Sequence, residues 1–329
     1  MALGLVSNIG PVNGYVFASA VKYPNIYVGI NHEVGGATEW HLSKYNISTG
    51  IPQAVATSAT LPYGPFALCI DGENIYASVG ALNRMYKYTT ALTQVSTWAT
   101  LGGGGVGMVK HGGHLHAIAD RSGMTTASIE AFTTALTLVA TATMDKDDEL
   151  WDIDVSQDHL VISSSPPPRL IVYSYISGNY SKILSYTCAG IPYDIATKGE
   201  YIYTSTPAVY HYDKAGAAIT LVASGSVSTY TTTMNGYGAC VSGNKLYIAE
   251  THDLFIGVPG RIEVFNCSDL SLDQTYVFQQ QDCRWMSNEE SSGILVSGNY
   301  RPMTALAANA GSVFSDKYCN VSISVNMTV

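Results

Sequence analysis

Apolar positions along this chain recur as pairs of short runs separated by a turn. Each unit begins with a mostly aromatic residue, at Phe17, Phe66, Val106, Trp151, Tyr193, Tyr237 and Trp285. Nine positions later an aliphatic residue follows, at Ile26, Ile75, Leu115, Leu160, Ile202, Leu246 and Ile294. The sixth position between them is a turn former at Gly72, Gly112, Gly199, Gly243 and Ser291, with Tyr23 and Gln157 as the exceptions. Two strand-length runs joined by a glycine or polar turn predict a β-hairpin. Seven hairpins therefore recur, at spacings of 49, 40, 45, 42, 44 and 48 residues. A third strand signal, an aliphatic residue three before an aromatic one, follows each of the first six. These pairs are Leu42 with Tyr45, Met85 with Tyr88, Ile129 with Phe132, Val172 with Tyr175, Val209 with Tyr212 and Ile262 with Phe265. A fourth run closes each unit, as at 94–100 and 182–186.

Four antiparallel strands repeated at such a period are the signature of a β-propeller, in which each sheet buries its faces against its neighbours. The expectation is an all-β, seven-bladed β-propeller forming one domain over 1–329, with residues 1–12 lending a strand to the last blade. That last blade is the least regular. Its third strand is expected at 313–316 and its fourth at 321–329.

The run Lys44-Tyr45-Asn46-Ile47-Ser48-Thr49-Gly50 after Ile26-Tyr27, and Tyr212-Asp213-Lys214-Ala215-Gly216 in the fifth unit, resemble the quinoprotein-like and YVTN-type seven-bladed propellers. The resemblance implies a fold. That superfamily holds dehydrogenases, lyases, surface proteins and scaffolds, so it implies no one activity.

Charge narrows the field. A net charge of −9 and the lack of any basic run argue against nucleic acid as a partner, because a phosphate-binding surface needs clustered Lys and Arg. Charged residues are 12% of the chain, about half the usual share for a soluble domain, so polarity comes from hydroxyls and amides. Such a surface suits an extracellular or virion protein. No run of 18 apolar residues offers a membrane span, and the start lacks the basic and apolar regions of a signal peptide. Together these features suggest a particle component assembled inside a cell. Of the six cysteines, Cys69 and Cys240 hold one repeat position in different units and read as packing residues. Only Cys267 with Cys319 has the spacing for a bridge.

The longer connections, at 31–40, 163–169, 225–236, 250–261, 282–290 and 298–311, belong to one face of the expected propeller, where loops carry function. On them Trp40, Tyr230, Phe255, Tyr300 and Arg301 offer planar groups beside amides and hydroxyls, a chemistry suited to glycans. The leading expectation is a non-enzymatic module contacting other structural subunits or a surface glycan receptor, without a cofactor. The alternative is a lyase or hydrolase with a His/carboxylate or metal site built from His32, Glu33, Glu250, His252 and Asp253. Asp147, Glu149, Asp152, Asp154 and Asp194 are hard oxygen ligands that could hold Ca²⁺. A structural reading of Asp152, Asp154 and Asp194 has them bonding exposed backbone of neighbouring inner strands. His111, His114 and His116 read as packing and turn residues.

Overall fold

The computed structural model of the 329-residue chain describes residues 4–12, 16–34, 37–46, 48, 53–79, 83–100, 104–120, 127–144, 149–226, 234–252, 261–277, 285–289, 294–298 and 319–325. Every regular element among them is a β-strand. The chain packs as two compact units, Met1–Gly64 with Ser226–Val329, and Pro65–Gly225.

The first unit begins with β1 (Gly4–Val12), followed by one sheet in the order β2 (Val16–Lys22), β3 (Asn25–Val34), β4 (Ala37–Asn46) and β5 (Gln53–Thr57). The unit Pro65–Gly225 holds four sheets of the same plan. They are β6 (Pro65–Asp71) to β9 (Gln94–Thr100) through β7 (Asn74–Val79) and β8 (Arg84–Thr89), then β10 (Gly104–His111), β11 (His114–Asp120), β12 (Ser128–Phe132) and β13 (Leu138–Thr143). Next come β14 (Glu149–Ser156), β15 (His159–Ser165), β16 (Arg169–Ile176) and β17 (Asn179–Thr187), then β18 (Ile195–Lys198), β19 (Tyr201–Thr204), β20 (Ala208–Asp213) and β21 (Ala218–Ser224). The first unit resumes with β22 (Met234–Ser242), β23 (Lys245–His252), β24 (Arg261–Asn266) and β25 (Leu272–Val277). It ends with β26 (Trp285–Glu289), β27 (Ile294–Gly298) and β28 (Cys319–Val325).

The expectation of seven blades is corrected here. Among the described residues six blades, not seven, are each formed by one continuous run of four antiparallel strands. The remaining sheet is a composite, ordered β26-β27-β28-β1, and uses both ends of the chain. Of the fourth strand expected at 321–329, the described residues 321–325 belong to β28 instead, which lies third and pairs with β27 and β1, and 326–329 fall outside the described residues. The strand expected at 313–316 falls outside the described residues. The cause lies in the repeat itself: its last copy has no aliphatic–x–x–aromatic signal at the usual distance, so the terminal strand completes the hydrogen bonding.

The recurring aromatic has a defined backbone role. In five inner strands the pairing register skips one residue, and the skipped residue is Phe17, Phe66, Val106, Trp151 or Tyr237. It is the bulge residue, and a bulge bends the strand and re-aims its neighbours. The amide just after the bulge then needs an acceptor. Ser78 Oγ accepts from Ala67 N at 3.1 Å and Ser163 Oγ from Asp152 N at 3.0 Å, while Ser205 Oγ accepts from Asp194 N at 3.2 Å just before β18, whose pairing carries no bulge. These three serines are fully buried.

The two turn exceptions also resolve. Gln157 and Asp158 take left-handed conformations (φ 49° and 62°) where other hairpins place glycine, as at Gly72 (φ 56°). The Tyr23–Pro24 turn uses a cis peptide. Within the unit Pro65–Gly225 cores form between neighbouring blades: Tyr76, Met85, Leu115 and Phe132 pack in one cluster, and Val161, Val172, Ile202 and Tyr212 in another. Cys69 and Cys188 are thiols within this packing, and burial pushes them up to about 12 and about 11.

Candidate functional site

Trp40 lies on β4 beside a segment that continues the sheet past β5. A polar staple fixes that segment. Leu61 N donates to Trp40 O at 2.6 Å, Ser58 N to Leu42 O at 2.8 Å, and Leu42 N to Ser58 Oγ at 2.9 Å. His41 Nδ1 lies 3.2 Å from Ser58 O, so this nitrogen carries the proton, while Nε2 sits 3.4 Å from Glu39 Oε2. Leu61, 2% exposed, anchors the segment in the core. The chain then delivers Tyr63 onto Trp40: their ring centroids are 5.5 Å apart at an interplanar angle of 23°. Tyr63 is 40% exposed and forms the outer layer of this stack. Gly64 completes the fit, since a Cβ there would stand 2.7 Å from Trp40 Cζ3. The result is a rigid aromatic platform with one layer open to solvent.

Of the other planar residues expected to bind ligand, Tyr230, Phe255, Tyr300 and Arg301 lie outside the described residues. Tyr63 was not anticipated, because it follows a fourth strand where the repeat carries no signal. The segment 31–40, expected as an irregular loop, is corrected to a hairpin arm: β3 and β4 pair through His32 with Glu39 and Glu33 with Thr38 as far as Val34 with Ala37. This places His32 and Glu33 within a strand; their side chains lie outside the described residues.

The carboxylates of β14 are arranged as a ladder. Asp152, Asp154 and Ser156 alternate along one face of the strand, and at a constant offset of 43 residues the first two meet the neighbouring inner strand β18 and the third meets Gly199 just past its end. Ile195 N donates to Asp152 Oδ2 at 3.1 Å, Thr197 N to Asp154 Oδ2 at 2.8 Å, and Ser156 Oγ to Gly199 O at 2.8 Å. β18 is the inner edge of its sheet, so its outward amides have no ladder partner, and the carboxylates satisfy them. Asp194 holds the position of Asp152 one blade on and hydrogen-bonds to it through the side chain. Two carboxyl groups in hydrogen-bond contact require a shared proton. Burial raises Asp152 above the ordinary carboxylate range, although the Asp194 contact opposes this. Burial likewise pushes Asp154 up to about 6. Gly107 on β10 makes room for the ladder, since a Cβ there would lie 3.2 Å from Asp152 Oδ1.

Among the remaining acidic candidates, Glu149 is exposed on β14 and Asp147 lies outside the described residues. Within the described residues no three His, Cys, Asp or Glu side chains group as metal ligands.

Glu250 ends its run in a buried ion cluster. Arg261 Nε donates to Glu250 Oε2 at 2.5 Å and lies 3.7 Å from Glu263 Oε1, with both carboxylates fully buried. Burial, together with the hydrogen bond and charge of Glu263, pushes Glu250 up to about 9 despite the Arg261 cation. Glu250 is thus committed to neighbouring strands. His252 follows on β23 with its side chain outside the described residues, as is all of Asp253. His116, fully buried, accepts from Tyr180 OH at Nδ1 (2.8 Å) and donates from Nε2 to His111 O (3.1 Å). Burial lowers it to about 4, so it is a neutral core residue.

No family model matches the chain, and no curated protein matches it. Among solved structures, the β-propeller domain of Myceliophteria thermophila Cps50 (Swd1) is similar over 98% of this chain and 99% of its own, with a TM-score of 0.70 and 9% identity. The computationally designed Ika8 protein is similar over the same shares, with a TM-score of 0.57 and 9% identity. At such identity the likeness is one of fold: an all-β propeller with four antiparallel strands per blade. That fold is consistent with a binding or structural role.

Proposed function

We propose that this chain is a non-enzymatic binding β-propeller that contacts a glycan, displayed on a partner subunit or surface receptor, through the Trp40–Tyr63 platform. The observation that carries the reading is the stack itself, with Tyr63 exposed and its geometry held by the Ser58, Leu61 and Gly64 contacts. A sugar offers an apolar C–H face to such a ring and hydroxyls to the surrounding amides, and a pre-ordered platform loses little entropy on binding. A chain with only 12% charged residues is consistent with display on a virion or surface appendage. The test is a glycan array probed with the wild-type chain, Trp40→Ala and Tyr63→Ala. The reading expects a selective glycan signal that both substitutions reduce at least about ten-fold, or ~1.4 kcal/mol. A signal that survives both, or no signal on the array, overturns it.

A further inference from the structure

At one repeat position His116 stands where four other blades carry Tyr27, Tyr76, Tyr203 and Tyr247. It is fully buried at the seam between the sheet β10–β13 and the sheet β14–β17, and both ring nitrogens are committed there, Nδ1 to Tyr180 OH on β17 and Nε2 to His111 O on β10. Rings close around it. Centroid separations are 4.5 Å to Tyr175, 5.7 Å to Tyr180 and 6.0 Å to His111, and His114 packs on Tyr175 at 5.4 Å. The same seam buries Met144 and Tyr173, whose hydroxyl donates to Met144 Sδ at 3.1 Å.

This network suits one protonation state. A proton added to Nδ1 turns an acceptor into a donor aimed at the Tyr180 hydroxyl, which must then give up its own bond. The Tyr175 hydroxyl in the same cluster is already buried without a partner, so the closed seam carries an unmet polar group that opening hydrates.

Compensating charge is missing. His111 on β10 and His114 on β11 both disfavour a proton on His116, and Lys110 on β10 is bonded to Asp71 on β6. Glu130 on β12 bears on Tyr180, while Asp152 and Asp154 on β14 bond to β18. Arg169 starts β16 at the end away from Tyr175, and Lys182 on β17 is exposed. At the β14–β15 turn, Asp158, Lys214 and His111 bear on His159. Among the described residues no carboxylate is hydrogen-bonded to His116.

We infer that the seam between these two sheets is an acid-sensitive latch, closed while His116 is neutral and released when it is protonated. Burial, against the pull of the His111 carbonyl, lowers this imidazole from 6.5 to about 4. Its folded value lies below its unfolded one, so its stabilising contribution is full above pH 6.5 and is lost as pH falls through 4. Release thereby becomes about thirty-fold more favourable between pH 7.5 and pH 5.

Hydroxyl-radical footprinting of the full chain at both pH values, read by mass spectrometry at Met144 and Tyr173, tests this. Met85, buried in a different cluster, corrects for radical dose. Relative to Met85, oxidation of Met144 and Tyr173 is expected to rise at least about ten-fold at pH 5. His116→Tyr installs the residue of the other blades, and His116→Gln keeps one donor and one acceptor. Neither titrates, so each is expected to abolish the rise with far-UV circular dichroism unchanged. Met144 equally protected at both pH values in the wild type, or a rise that persists in either folded variant, overturns the inference.

Discussion

Replacing Asp154 with asparagine separates two opposing influences on one buried carboxyl. Its Oδ1 accepts Val155 N at 2.7 Å and its Oδ2 accepts Thr197 N at 2.8 Å, contacts that favour the ionised form. Burial acts the other way and is the larger influence. With the nearby Asp152 charge adding to it, the group moves from 3.8 to about 6. Such a move corresponds to about 3 kcal/mol, an upper figure because Asp154 keeps part of its surface. The folded chain therefore holds this proton more tightly than the unfolded chain. Its stabilising contribution is complete below pH 3.8 and is lost as pH rises through 6. D154N cannot ionise and offers one acceptor oxygen in place of two, which costs a pH-independent ~1 kcal/mol. Urea unfolding followed by tryptophan fluorescence at pH 4, 5, 6 and 7.5 reads the difference. D154N is expected to gain on the wild type by up to about 3 kcal/mol between pH 4 and 7.5. If the wild type gains on D154N over that interval, the amide bonds outweigh desolvation and the reasoning fails.

Other substitutions probe separate parts of the account. Gly64→Ala drives a Cβ into the Trp40 ring and should lose about 1–3 kcal/mol of stability together with the near-UV circular dichroism of the Trp40–Tyr63 pair. Arg261→Met leaves Glu250 and Glu263 buried without their cation and should cost about 3–5 kcal/mol in urea unfolding, whereas a loss under ~1 kcal/mol would show that the cluster is solvated. Ser163→Ala strips the acceptor from the Asp152 amide at the bulge and should cost about 1–3 kcal/mol, again read by urea unfolding.

The strands were legible in the sequence because alternation and turn residues are local properties. Pairing is not. The recurring Trp151 marks the start of a strand in sequence, yet only the register with β15 reveals it as a bulge that turns Asp152 toward β18. For the same reason seven hairpins were visible while six continuous blades were not counted, since β1 reaches β28 across almost the whole chain. At the site, Trp40 stood out as an aromatic on a long connection between strands, 31–40. Tyr63 reaches it through backbone bonds from Leu61 and Ser58, in a stretch with no periodic signal. Glu250 shows the converse. As a sequence it sits beside His252 and Asp253 like an acid/base group, but the pairing of β23 with β24 sets Arg261 opposite it.

Whether the Trp40–Tyr63 stack is the binding surface is decided by a crystal structure of the chain with the strongest glycan from the array. The sugar is expected with its C–H face against the exposed Tyr63 ring. A sugar bound elsewhere, with Tyr63 left open to solvent, would contradict it.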